Sequence, residues 1–195
     1  MITGRLSVFV FLLLPFASAH AADSHFYFGG GLDFGGDKLL EVTYADGSDE
    51  KLYAGEGVHL AVGTDIDISP VTMLRATLGY KFSSITAENG DILFRRVPIE
   101  LTGYRFFDNH GIGAGITHHI SSKLSCDIDT VCDFTADVEE ATGWVVEYLY
   151  RSRREDTNKG FTVGVRAVFG LDYEPRGGGA DADANSIGFN IGVSL

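Results

Sequence analysis

From Ser186 to Leu195 apolar and polar residues alternate without a break. Ile187, Phe189, Ile191, Val193 and Leu195 fall on one face; Gly188, Asn190, Gly192 and Ser194 fall on the other. A two-residue period of this kind makes a β-strand with one apolar and one polar side. The pattern recurs along the chain. Ser24 to Phe34 sets Phe26, Phe28, Leu32 and Phe34 against His25, Tyr27, Gly29, Gly31 and Asp33, with a short second run from Leu39 to Tyr44. Val58, Leu60, Val62, Ile66 and Ile68 alternate with His59, Ala61, Gly63, Asp65 and Asp67. Leu74, Ala76, Leu78, Tyr80 and Phe82 alternate with Arg75, Thr77, Gly79 and Lys81. Val97, Ile99 and Leu101 oppose Arg96, Glu100 and Thr102, and Ile112, Ala114, Ile116 and Ile120 oppose Gly113, Gly115, Thr117, His119 and Ser121. Trp144, Val146, Tyr148 and Tyr150 face away from Glu147 and Arg151, as Phe161, Val163, Val165, Ala167 and Phe169 do from Thr162, Gly164 and Arg166. These runs predict eight strands.

The links sort by length. Ser69-Pro70, Asp108 to Gly111 and Glu155 to Lys159 are short and read as tight turns. Glu88-Asn89-Gly90-Asp91 carries the Asn-Gly hairpin signal. Ala45 to Glu50, Ser122 to Thr142 and Pro175 to Asn185 are acidic and read as loops. Short links require antiparallel neighbours. The expected fold is therefore all-β, an eight-stranded antiparallel up-and-down barrel with no second domain. One residue is out of phase. Arg105 falls on the apolar side, which predicts a bulge near Tyr104.

Alternation does not say which face points inward. A lipocalin-like carrier would enclose the apolar face around an apolar ligand. Two features favour the opposite sense. The polar face is rich in Gly and Thr, which suit the crowded interior of an eight-stranded barrel. The apolar face is bulky, with Phe26, Phe28, Tyr148, Tyr150 and Phe161 toward one end and Tyr80, Phe82, Trp144 and Phe169 toward the other, as in the aromatic girdles of a bilayer-spanning barrel. The opposite facing would put arginines in lipid, at roughly 2–4 kcal/mol each near mid-membrane. In a transmembrane barrel the lumen then holds Asp33, Asp65, Asp67, Glu100 and Glu147 against Arg75, Lys81, Arg96, Arg151 and Arg166. Acids and bases balance, so a paired network that plugs the lumen is expected. A narrow channel is the alternative.

Residues 1–21 have the form of a secretory signal: Arg5, an apolar core from Leu6 to Phe16, and Ala19-His20-Ala21 as the cleavage site. Residues 22–195 then form the barrel. The leader core is shorter than the roughly 20 residues of a membrane helix. The net charge of −12 argues against nucleic acid. Twenty-five glycines with only four prolines fit many strands joined by turns. Cys126 and Cys132 lie in a polar segment of an exported chain, where one disulfide pinning a loop is expected.

The leader, the strand count, the loop asymmetry and the closing strand together resemble the small OmpA/OmpX-type outer-membrane β-barrels. The resemblance implies a place in the outer membrane of a Gram-negative bacterium, contact with outer-membrane lipid and lipopolysaccharide, a monomer, and surface partners reached through the loops. It implies no cofactor and no catalytic residue. A second, partial resemblance lies in Thr117-His118-His119-Ile120-Ser121-Ser122, which is similar to the His-x-Ser-Asn motif of the outer-membrane lipid A deacylases. Here Ser122 stands in place of the Asn, and the motif is not in the penultimate strand. A hydrolase would use His119 and Ser121, with Glu147 close by. Asp181, Asp183 and Asn185, and Asp127, Asp129 and Asp133, supply oxygen ligands of the type Ca²⁺ takes, but match no complete loop motif, and no metal centre is expected.

Overall fold

The computed structural model describes residues 23–44, 46–87, 89–153, 160–176 and 180–195. The leader at 1–21, Glu88 and the turn at 155–159 lie outside the described residues. Within them the strands are β1 (Asp23–Phe34), β2 (Lys38–Thr43), β3 (Asp49–Tyr53), β4 (Gly57–Ser69), β5 (Thr72–Ala87), β6 (Gly90–Phe107) and β7 (His110–Ile128). There follow β8 (Cys132–Asp137), β9 (Ala141–Arg153), β10 (Gly160–Phe169), β11 (Asp172–Tyr173), β12 (Ala182–Asp183) and β13 (Ser186–Ser194). Eight of them close an antiparallel ring, in the order β1, β4, β5, β6, β7, β9, β10, β13 and back to β1. The first and last strands are neighbours, with Tyr27 opposite Ser194 and Phe34 opposite Ile187. Closure leaves the ring no free edge.

The apolar face is outside. Phe189 is 60 % and Trp144 59 % exposed, and Phe26, Phe28, Leu60, Leu78, Ile99, Ile112, Val163 and Ile191 are also exposed. Arg75, Arg96, Arg166, Asp33, Asp65 and Glu147 are buried within. Along β6 the outward positions run Arg95, Val97, Ile99, Leu101, Gly103, Arg105 and Phe107. Register is continuous through Tyr104 and Arg105, so the bulge expected there is absent. Arg105 keeps its outward place near the short-turn end and donates to Thr72 Oγ1 at 3.3 Å. The stretch from Arg95 to Arg105, at ~3.3 Å per residue and a tilt of roughly 40°, spans about 25 Å of height, the apolar band of an outer-membrane barrel.

The one bulge in this strand pair lies at the other end. Between the pairs Arg95↔Lys123 and Val97↔Ile120, β7 carries one residue more than β6, and Ser121 takes φ 52°. The extra residue reverses the facing of all that follows on β7. Beyond this level the polarity of the wall also inverts. Ile85, Ile92, Phe94, Cys126 and Ile128 now point inward and are buried, while Asp91, Arg95 and Asp127 point outward. β5, β6, β7 and β8 thus continue as a four-stranded sheet above the barrel, where the sequence pattern predicts a loop from Ser122 to Thr142. Cys126 and Cys132 are joined as a disulfide across the β7–β8 hairpin, Cα atoms 5.8 Å apart. The run at Leu39 to Tyr44 is a separate hairpin, β2 with β3. β2–β3 and β11–β12 fold over the mouth, and Leu52, Ala54, Leu171, Tyr173 and Ala184 pack there against the inner face of the raised sheet.

Replacing the outward Leu101 by Arg is expected to destabilise the folded barrel by about 2–4 kcal/mol, read from urea titration in lipid vesicles. Replacing Cys126 and Cys132 by Ser should leave that global transition in place. It should speed amide exchange at the β7–β8 tip, where closing a loop this small is worth about 2 kcal/mol, or roughly thirtyfold.

Candidate functional site: the luminal charge network

Alternation on eight adjacent strands stacks the inward side chains in layers. Nearest the short-turn end, Arg151 lies 3.6 Å from the centre of the Phe106 ring, 3.3 Å from Met73 Sδ and 3.4 Å from Asp67 Oδ1. His25 Nε2 is 3.4 Å from Asp67 Oδ2. In the next layer Arg75 holds Asp65 with two bonds, 2.7 and 2.9 Å, and stacks 3.6 Å from the Tyr27 ring with Tyr104 at 5.4 Å. Ser194 Oγ donates to the same carboxylate at 2.7 Å. Tyr27 fits only because β13 carries no side chain at Gly192, where a Cβ would stand 2.5 Å from the phenol oxygen.

At mid-height Asp33 gathers three nitrogen partners. Lys81 Nζ lies at 2.8 Å, His59 Nδ1 at 3.0 Å and Arg166 Nε at 4.0 Å. Arg166 Nη2 also donates to Glu100 at 2.5 Å. Glu147 lines a cavity of about 20 Å³ with Tyr27, Arg75, Tyr104 and Arg166. A second cavity of about 20 Å³ lies between Asp33, His59, Lys81, Glu100, His119 and Arg166. Each has room for about one water molecule. Taking a charge out of water costs several kcal/mol unless a partner compensates, and these residues supply partners to one another.

Arg96 departs from the expected pairing with an acid. Completely buried opposite the β7 bulge, it donates to the carbonyls of Ala54 and Glu56 and lies 4.2 Å over the Phe94 ring. Lys81 donates to the carbonyl between them, Gly55 O, at 2.7 Å. Three consecutive carbonyls of the β3–β4 link are thus fixed by two cations of the barrel wall. Nothing in the alternation marks this, because the acceptors are backbone atoms. The neighbouring glycines hint at it: Gly36 and Gly55 sit where a Cβ would meet the backbone of another loop at 2.4–2.5 Å.

His119 and Ser121 do not share a face. His119 is buried in the lumen, and its Nδ1 is hydrogen-bonded to the Tyr173 hydroxyl. Burial pushes the Tyr173 phenol up to about 12, so at neutral pH it stays a neutral hydroxyl. Ser121 is the exposed residue of the bulge, and Ser122 takes the inward place. Glu147 lies beside Gly113, far down the strand from His119. The expected alignment of His119 with Ser121 is therefore corrected, because the bulge adds a residue just after Ile120. Asp183 is engaged locally, accepting from Asn185 N at 2.6 Å and Asn185 Nδ2 at 2.7 Å. Among the described residues no group of three or more His, Cys, Asp or Glu is placed to hold a metal ion.

Substituting Asp65 by Asn should cost about 3–5 kcal/mol in vesicle unfolding, because Arg75 then stays buried without its counter-charge. The double replacement Asp65→Leu with Arg75→Met should recover most of that loss.

No protein-family model matches the chain, and no characterised protein matches it by sequence. Solved structures do match it in fold. Ail, the attachment invasion locus protein of Yersinia pestis, solved in complex with the heparin analogue sucrose octasulfate, superposes with a TM-score of 0.50 at 10% identity over 89% of this chain and 97% of its own. AlkL, an outer-membrane protein solved in DMPC bilayers, gives 0.50 at 11% identity over 93% and 94%. OprG, an outer-membrane protein of Pseudomonas aeruginosa, gives 0.51 at 12% over 89% and 95%. The chain has the fold of the small eight-stranded outer-membrane barrels.

Proposed function

We propose that this protein is a monomeric, non-enzymatic β-barrel of the Gram-negative outer membrane, exported by the leader at 1–21. Its lumen is plugged by paired charges, and its raised sheet and acidic loops are the surface it offers to partners. The observation that carries this reading is the change of polarity along the wall. Over about 25 Å the outside is apolar and the inside charged; past Arg95 and Lys123 the inside is apolar and the outside carries Asp91 and Asp127. Only a wall that leaves hydrocarbon for water at that level satisfies both halves.

Two water-sized cavities among the luminal ion pairs support a sealed interior over a conducting one. The loops folded over the mouth support it too. Outside, β8 is the edge strand of the raised sheet among the described residues; Arg176 N donates to Asp137 O at one end, and the stretch toward Cys132 is the edge offered to another chain. Asp91, Asp127 and Asp133 stand in one transverse row across that sheet. Their charge favours a cationic or divalent-bridged partner over a sulfated sugar like the one bound to Ail.

Purified protein in detergent or vesicles is expected to show heat-modifiable gel migration, and planar bilayers containing it should show no resolved conductance steps. Steady single-channel steps from the wild type would overturn the plugged lumen. Recovery as a soluble monomer without detergent would overturn the membrane assignment.

A further inference from the structure

We infer that Arg95 and Lys123 form a binding site on the outer rim for a phosphate group of lipopolysaccharide. The inference rests on the membrane placement proposed above. The two residues are direct cross-strand partners on β6 and β7, both facing outward. Cβ atoms in such a pair stand about 4.5–5.5 Å apart, within reach of one phosphate.

Their level is set by four independent transitions. On β6 the outward sequence passes from Val97 to Arg95 while the inward one passes from Arg96 to Phe94. On β7 the outward sequence passes from Ile120 to Lys123 while the inward one passes from His119 through Ser122 to Leu124. Phe82 of the upper aromatic rim is the neighbour of Arg95 on β5. The pair is therefore the first outward chemistry past the hydrocarbon edge, where the phosphates of a lipid headgroup lie.

Arg95 is uncommitted, and Lys123 is held by one exposed partner. Arg75, Lys81, Arg96, Arg151 and Arg166 are committed to the lumen. Arg95 is exposed and makes no hydrogen bond or ion pair with any described residue. Lys123 lies 3.1 Å from Asp137, both about half exposed. A guanidinium grips two phosphate oxygens at once, and an ammonium beside it adds a point charge. The cationic band is one row deep: the next row pairs Leu93 with Ser125, and four residues above Arg95 the Asp91, Asp127 and Asp133 row begins. One row fits one layer of phosphates. Lipopolysaccharide is favoured over the common zwitterionic phospholipids because its phosphates carry no cation of their own to compete with Arg95.

Trp144, the sole tryptophan, is exposed on the adjacent β9 opposite Ile116, seven residues along β7 from Lys123, and reports on lipid bound to this side of the wall. The test measures quenching of Trp144 in the full barrel by spin-labelled lipid A in phosphatidylcholine vesicles. Matched vesicles contain dephosphorylated lipid A or phosphatidylglycerol. The wild type is expected to select phosphorylated lipid A. Each cation near an anionic surface contributes about fivefold, so Arg95→Gln should lose about fivefold, and Arg95→Gln with Lys123→Gln about 25-fold. High salt should erase the preference. Undiminished selection by a folded double variant, or equal association with the dephosphorylated lipid, overturns the site. Equal selection of phosphatidylglycerol overturns lipopolysaccharide as the source. Heat-modifiable migration certifies folding, and the single variant stands in if the double one does not fold. Failure of the wild type to enter vesicles would sink the membrane placement itself.

Discussion

Hydrocarbon offers no hydrogen-bond partners, and the rest of this structure depends on that. Each backbone N–H and C=O within the bilayer must be satisfied by the protein, and a sheet does so only when it closes. Hence β1 and β13, the two ends of the described chain, are hydrogen-bonded to each other. Closure then dictates side-chain chemistry. One face of each wall strand is apolar and turns outward, and the other lines the narrow lumen of an eight-stranded barrel. Polar residues in that lumen must find partners among themselves, as Asp65 does in Arg75 and Ser194, and Glu100 in Arg166.

The same physics explains why the pattern reverses beyond Arg95. Once the strands rise out of the membrane, water lies outside and the inner face covers the folded loops. Ile85, Phe94, Cys126 and Ile128 pack inward against Leu52, Leu171 and Tyr173. The β7 bulge sits at this transition and fits the strand to it. By adding Ser121 it brings Leu124, Cys126 and Ile128 to the inside, and it exposes Lys123 beside Arg95. Without the extra residue the facing of the upper hairpin would be reversed.

Arg96 and Lys81 join the two zones. Both belong to the barrel wall, yet their donors hold the backbone of Ala54, Gly55 and Glu56. That link in turn packs on the backbone at Gly35 and Asn185, with Gly55 N donating to Gly35 O at 3.0 Å. The loops over the mouth thereby pack backbone on backbone and are fastened to buried cations. Such an arrangement tolerates little substitution at the glycines, because a single Cβ would enter the space of a neighbouring loop.

The order of apolar and polar residues by itself determined the eight wall strands, their antiparallel links and the outward facing of the apolar side. It could do so because a two-residue period translates directly into facing, whatever the neighbours are. Only the tertiary structure decided the rest. Asp33 meets Lys81 and His59 through the pairing of separate strands, and Arg96 is matched to carbonyls that have no signature in side-chain identity. The pattern predicts a loop over Ser122 to Thr142 because its alternation persists there in inverted sense, and only the position of the membrane edge gives that inversion meaning. A one-residue bulge at Ser121 separated His119 from its apparent partner, since register is a property of two strands together and cannot be fixed by either alone.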